Sequence, residues 1–319
     1  MSYEESARQV GAAADHELTI VRADLMLAES ARAVLAEQLT ESQAQTRSAL
    51  DAAEAAEAEV TRLKARVAEL EALLPKPATL FGVTVNGAVR RTHTDLHPKV
   101  AVSRVYAQGV TSWAAEGQHK QFPNGRWACS NSYSLSEANL PKLLATIPDA
   151  DKSKIVGWAD GHELENPDKN LTPAAVKDRM RRTAPIIRDA GLLAVSCVMG
   201  FSIKDDEWLK WIDPDAVDIL AFDKYNSGNK KNPPIYQDPV KVVAEAAAQS
   251  ARFGKPFAFW ETGTNNFGDP AARVAWTEAL HDELVKQNAV HAIWFDREST
   301  SGSGWDASMD RATAEAWLG

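Results

Sequence analysis

Cysteine is almost missing from this chain: its 319 residues contain two, Cys129 and Cys197. Both fall inside apolar, strand-like runs, where a free thiol behaves as a small buried hydrophobe, so two free thiols and no disulfide are expected. Positive charge is also short. The 35 Lys and Arg are outnumbered by 44 Asp and Glu, a net charge of −9, and phosphate binding needs a basic face, so no nucleic-acid partner is expected. No apolar run approaches the roughly 18 residues of a membrane helix, which excludes a helical membrane span. The N-terminus has neither a basic nor an apolar signal region, so no signal peptide is expected and any export must use another route. The aromatic side chains Trp and Phe are missing from the opening segment. The first 75 residues hold neither, and a single glycine, Gly11, while all ten tryptophans stand at or after Trp113.

What the opening segment does have is Ala, Glu, Leu and Arg, the composition of a long helix. Steps of three and four run from Leu18 through Val21, Leu25 and Ala28 to Val60, Leu63, Val67, Leu70 and Leu74; fourteen of these seventeen positions are apolar, and Arg32, Ser42 and Thr46 are the exceptions. A period of 3.5 residues keeps one seam facing a partner helix and winds a left-handed coiled coil. Residues 1–75 are therefore expected to form a coiled-coil oligomerisation stalk, a rod of roughly 85 Å. Val60 and Val67 alternating with Leu63 and Leu70 favour two strands; Arg32 on the seam fits a register device or a looser trimer, so dimer and trimer both stay open. The alternative is a helix folded back onto the barrel that follows. Pro75-Lys76-Pro77 ends the helix, because proline removes a donor and forces its predecessor out of the α region; residues 76–79 form a linker.

Residues 80–319 are punctuated differently. Apolar runs that read as buried strands occur at Leu80–Asn86, Val100–Ala107, Trp127–Ser132, Lys154–Asp160, Leu192–Met199, Val217–Phe222, Pro256–Trp260 and Val290–Phe295. Helical patterns separate them, clearest in Thr172–Ala190, Pro239–Phe253 and Asp269–Gln287, which open on caps or first-turn prolines. Eight strands, several of them near-continuously apolar, alternating with helices imply parallel pairing with both faces covered, and the length suits one α/β domain, a (β/α)8 TIM barrel. An open doubly wound sheet is the alternative, disfavoured because no Gly-rich phosphate loop follows the first strand.

In such a barrel the working residues stand at the carboxyl ends of the strands. Those ends read Asn86, Arg104 or Tyr106, Asn131, His162-Glu163, Met199, Asp223 to Asn226, Glu261, and Trp294 with Asp296. Carboxylates, amides and aromatics together suit a carbohydrate cleft. Cleaving a glycoside needs one carboxylic acid to protonate the leaving oxygen and a second carboxylate to stabilise an oxocarbenium-like centre. Glu163 suits the acid/base, since a neighbouring carboxylate raises its pKa; Glu261 suits the nucleophile. Tyr225 is placed to donate a hydrogen bond to Glu261, Arg104 to keep it ionised, and Trp294 to serve as a floor for a sugar ring. His162, Asn131, Asp223, Trp260 and Asp296 complete the expected substrate contacts. Retaining chemistry predicts carboxyl groups about 5–5.5 Å apart. Glu165 reads as a rim residue or a helix-proximal acid, and Trp208 and Trp211 as core. No metal and no cofactor is expected.

His162-Glu163 at the fourth strand and Glu261-Thr262-Gly263 at the seventh resemble clan A retaining glycoside hydrolases. His before the acid/base, and Asp223-Lys224-Tyr225-Asn226 at the sixth strand, are similar to family 26, the mannanase-like group. The resemblance covers about residues 80–319 and implies Glu163 as acid/base, Glu261 as nucleophile and retention of configuration. The segment His162-Glu163-Leu164-Glu165-Asn166 departs from the mannanases, so mannan is not implied. A helical stalk joined to such a barrel also resembles minor tail proteins of phages infecting actinobacteria. That setting implies a virion tail location, other tail proteins as partners, and a bacterial envelope polysaccharide as substrate. Competing readings are a receptor-binding module that grips glycan without cutting it, a structural fibre, and a metal-dependent hydrolase built on His93-Thr94-Asp95-Leu96-His97.

Overall fold

The computed structural model describes residues 15, 17–34, 47–73, 78–84, 87–107, 110–166, 169–226, 228, 235–297 and 306–319. The chain divides into two compact units, Met1–Pro77 and Ala78–Gly319. In the first, residues 17–34 and Arg47–Leu73 are helical. Leu18, Val21 and Leu63 are buried together, with Leu25, Ala28 and Val67 packed against them. Arg66 pairs with Glu17, and Lys64 reaches Glu29 at 3.2 Å. These heptad positions thus find apolar partners within one chain, where the periodicity alone suggested a partner chain. Residues 35–46, through which an unbroken rod would run, lie outside the described residues, as do Leu74 and Pro75-Lys76-Pro77.

The second unit holds eight strands: β1 (Leu80–Thr84), β2 (Val102–Ala107), β3 (Arg126–Asn131), β4 (Ile155–Asp160), β5 (Val195–Met199), β6 (Ile219–Asp223), β7 (Phe257–Thr262) and β8 (His291–Trp294). Asn86, the expected end of the first strand, lies outside the described residues. The sheet order is β4-β3-β2-β1-β8-β7-β6-β5, with every pairing parallel. A single parallel bridge, Trp158 to Ala194, spans the remaining gap between β4 and β5. The strands therefore form a nearly closed barrel, consistent with the (β/α)8 architecture.

Alternation along each strand sorts side chains into two layers. Val102, Ala128, Ala159, Val195, Ala258 and Ile293 fill the barrel interior. Phe257, Phe259 and Trp294 point outward, where Trp276 and Trp317 from the helices meet them. Trp208 is fully buried in this outer layer and Trp211 packs against it. The helices Pro173–Asp189, Pro239–Phe253 and Pro270–Lys286 each begin on a proline and are capped by Thr172, Asp238 and Asp269, whose side chains accept from the N–H of Ala175, Val240 and Ala272. Proline loses nothing there, because its missing N–H would be unpaired in the first turn. Both cysteines are free and buried. Among the described residues, no helix is long and apolar enough to cross a membrane.

Candidate active site

Strict alternation along β7 would not deliver Glu261 to the barrel mouth. Ala258 and Trp260 face the interior and Phe257 and Phe259 face out, so the next residue should turn outward as well. The register breaks instead. Phe222 pairs with Phe259 but Asp223 pairs with Glu261, and Phe259 pairs with Ala292 but Thr262 with Trp294. One extra residue on β7 is a β-bulge, which re-aims the side chain that follows it. Trp260 and Glu261 then both serve the interior, one above the other. Gly157 makes room below: a Cβ there would lie 2.4 Å from Val195 Cγ2 and 3.6 Å from the Trp260 indole.

Glu261 is buried and doubly held. Tyr106, on the interior face of β2, donates to Oε1, and Tyr225, beyond the end of β6, donates to Oε2 at 2.5 Å. His162 Nε2 lies 3.3 Å from Oε1. The same nitrogen lies 3.8 Å from Glu163 Oε2. Those two oxygens can be no farther apart than the two contacts laid end to end, which leaves room for the retaining separation of about 5–5.5 Å. Glu163 sits at φ 47°, a left-handed conformation uncommon for a residue with a Cβ, and its N–H bonds to the Cys197 carbonyl of β5 at 3.1 Å. Backbone strain of this sort, held by neighbouring structure, is typical of functional positions.

Beneath His162 lies a buried guanidinium. Arg104 donates to the Ala128 carbonyl and the Ser130 hydroxyl, each at 3.0 Å, and stacks 4.2 Å above the Trp260 ring. Its Nη2 is 3.3 Å from His162 Nδ1. A guanidinium only donates, so Nδ1 accepts and the imidazole proton sits on Nε2, facing the two glutamates. Burial, then the charges of Arg104 and Lys169, hold His162 well below its ordinary range, so the ring is neutral. Asp223 and Cys197 close the floor, at 3.4 and 3.3 Å from Nδ1.

The two glutamates differ in environment. Glu163 is pushed up to about 7, first by burial and then by the negative charges of Glu261 and Glu165. Burial also raises Glu261, but the Tyr106 and Tyr225 hydroxyls and the charges of Arg104 and Arg297 oppose it. Asp223 is raised well above the carboxylate range by burial and by both glutamates. One carboxyl is therefore poised to carry a proton near neutrality while the other is surrounded by donors, the asymmetry that divides acid from nucleophile.

The structure brings together Glu163, Glu261, His162, Tyr225, Asp223 and Arg104. Arg104 is fully buried, so it acts on Glu261 through charge and cannot touch substrate. Four expected substrate contacts are corrected. Trp294 faces the helix layer and donates to the Ala307 carbonyl at 2.7 Å. Asp296, also fully buried, accepts from the N–H of Val89 at 2.7 Å and of Met309 at 3.0 Å. Asn131 spends its amide on Asp160, Ser132 and Trp158. Trp260 lies under the site, its indole N–H on His291 at 2.6 Å. Glu165 is no rim acid: it is buried, accepts from the Met199 N–H and lies 3.3 Å from the Ser202 hydroxyl. Tyr106, named at its strand end only as an alternative to Arg104, was given no role, and Phe295 was not named as a site residue. Tyr106 shares the interior face with Arg104 two residues earlier, a period-2 signal present in the sequence. Phe295 is the half-buried ring that faces Tyr225, at 6.2 Å between centroids, one residue beyond the expected Trp294.

The His93–His97 segment does not assemble a metal centre. Asp95 pairs with Arg311 at 2.6 Å, and His97 lies against Phe122 with Nε2 3.3 Å from the Arg90 carbonyl. Among the described residues, His162, Cys197 and Asp223 offer ligand atoms within 4.8 Å of one another. Arg104 already directs a permanent positive charge at His162 Nδ1, so this trio does not fit a resident cation.

No protein-family model and no curated protein matches the chain. Its fold is similar to solved glycoside hydrolases. An endo-1,4-β-mannanase from Rhizomucor miehei has a TM-score of 0.54 at 13% identity, covering 76% of this chain and 94% of that one. A GH128 endo-β-1,3-glucanase from Pseudomonas viridiflava has a TM-score of 0.51 at 17% identity, covering 75% and 97%. A fungal β-1,4-galactanase structure has a TM-score of 0.51 at 11% identity, covering 75% and 93%.

Proposed function

We propose that this chain is a retaining glycoside hydrolase acting on a bacterial cell-surface polysaccharide, with Glu163 as acid/base and Glu261 as nucleophile. One observation carries the reading: carboxylates from the ends of β4 and β7 meet at a single His162 nitrogen, at 3.8 and 3.3 Å, in unlike environments. Glu261 attacks the anomeric carbon while Glu163 protonates the leaving oxygen; water, deprotonated by Glu163, then releases the glycosyl group from Glu261. The neutral imidazole donates from Nε2 toward Glu261 or a sugar hydroxyl beside it. The phenols of Tyr106 and Tyr225 stabilise the carboxylate before attack and after release.

The likeness to glycanases supports the barrel and leaves the sugar open. The test is release of reducing ends from envelope polysaccharides, with Glu163→Ala and Glu261→Ala as controls and the product anomer followed by NMR. Loss of activity in both variants and a retained anomer are expected. An inverted product, or variants as active as the wild type, sinks the assignment; a barrel that only gripped glycan would show no turnover to lose. The setting we propose is the tail of an actinobacterial phage, with the N-terminal segment, residues 1–75, joining two or three chains. Sedimentation of the full chain at the mass of one protomer would remove that association.

A further inference from the structure

Phe201 is out of place for a folded chain. Among the described residues it is the only strongly exposed aromatic ring, 64% accessible, whereas the other exposed apolar side chains are aliphatic. Isolated exposed aliphatics are ordinary on any surface. Phe201 differs in position and in how it is held. It follows β5 by two residues, on the face of the barrel that carries Glu163 and Glu261.

The turn that presents it is built with buried polar groups. The Glu165 carboxylate accepts from the Met199 N–H and lies 3.3 Å from the Ser202 hydroxyl, whose proton goes to the Met199 carbonyl at 2.7 Å. Lys224 Nζ donates to the Gly200 carbonyl at 3.3 Å. Gly200 packs so tightly on the exit of β6 that a Cβ would fall 2.9 Å from the Asp223 carbonyl oxygen. Burying a carboxylate costs free energy unless it is well hydrogen-bonded. Here one carboxyl oxygen, Oε1 of Glu165, is committed to fixing a turn whose outward residue is a bare phenyl ring, while Oε2 is buried without a partner among the described residues. Glu165 belongs to the same short loop as Glu163, so the loop that sets the acid also sets the ring.

The side of the cleft follows from Glu163. Its N–H is bonded to β5 at Cys197, and its carboxyl flanks the His162 ring that also touches Asp223 at the end of β6. The acid therefore stands on the β5–β6 side, and the group that protonates the leaving oxygen stands on the leaving side. Phe201 rises from that rim. A pyranose presents an apolar face of C–H bonds that packs flat on an aromatic ring, while its hydroxyls stay in water.

We propose that Phe201 is a sugar-stacking platform for the leaving portion of a polysaccharide, so that the enzyme grips chain on both sides of the scissile bond and cuts internally. This rests on the glycoside hydrolase reading. The probes are soluble β-1,4-galactan, β-1,4-mannan, β-1,4-glucan and β-1,3-glucan in affinity electrophoresis, with Glu261→Gln preventing turnover. For at least one polymer, adding Phe201→Ala should weaken retardation about tenfold, the scale of a lost aromatic contact, and Phe201→Trp should preserve it. In an otherwise wild-type chain, Phe201→Ala should lower kcat/KM on that polymer by a similar factor. It should leave hydrolysis of the matching glycosyl fluoride unchanged, because fluoride places no sugar on the leaving side. Retardation of none of the four, equal retardation with and without Phe201, or an equal loss on the fluoride overturns the platform. If the polymer binds through Phe201 and no substrate is cleaved, the platform stands and the hydrolase assignment falls. If cleavage depends on Glu261 and ignores Phe201, the reverse holds.

Discussion

Replacing Glu163 with glutamine should make the protein more stable and less active, and one titration should govern both effects. In the fold Glu163 keeps its proton up to about 7, against an ordinary value of 4.5. The unfolded chain releases that proton near the ordinary value, so between the two pH values the native state binds more protons. Rising pH then favours unfolding. The contribution of Glu163 to stability is complete below 4.5 and is lost as pH climbs through about 7. A displacement of that size corresponds to about 3 kcal/mol. Glutamine is nearly isosteric and never ionises, so Glu163→Gln should match the wild type at pH 4 and exceed it by about 2–3 kcal/mol at pH 8. For a domain of this length that is roughly 5–10 °C in melting temperature. The assay is a series of thermal melts from pH 4 to pH 9 on both proteins, beside the wild-type pH profile of kcat/KM. The alkaline limb of that profile, where the acid loses its proton, should fall at about pH 7, where the gap between the two melting curves, which opens above 4.5, stops widening. Parallel melting curves across the range would refute the raised proton affinity and, with it, Glu163 as acid.

Phenylalanine at Tyr106 or at Tyr225 removes one of the two donors on Glu261. Each change should cost about 1.5–3 kcal/mol of transition-state stabilisation, ten- to a hundredfold in kcat, and should move the acid limb of the profile to higher pH. An unshifted acid limb would show that the phenols do not set the nucleophile. Trp294→Ala should destabilise by about 3–5 kcal/mol in chemical denaturation while leaving KM of the folded enzyme unchanged. A large rise in KM at unchanged stability would restore it to the cleft.

The strands were legible because a parallel strand covered on both faces is a continuous apolar run, and β4, β5 and β7 are almost nothing else. The helix starts at Thr172-Pro173 and Asp269-Pro270 were equally plain, since cap and first-turn chemistry is local. The partner of Leu18 and Val21 was not. A heptad states that a seam wants apolar company, and the same repeat is satisfied by a second helix of the same chain, here through Leu63 and Val67. Only the return of the chain decides between them, and periodicity carries no sign of a turn.

Three of the site errors share one cause. Naming a residue at a strand end says nothing about which face it joins. Asn131 follows Ser130, Trp294 follows Ile293 and Asp296 follows Phe295, and in each case the earlier residue looks inward and the later one outward. A period-2 count from the strand interior would have rejected Asn131, Trp294 and Asp296 and promoted Tyr106 and Phe295. That count fails at one position. Carried along β7 from Ala258, it sends Glu261 outward, because the bulge that restores it is visible only in the pairing of β7 with β6 and β8. Functional residues tend to sit where a regular rule breaks, and the break here positions the proposed nucleophile. Chemistry had to nominate Glu261 against the geometry of an ideal strand. A rule strict enough to discard Trp294 would have discarded Glu261 with it.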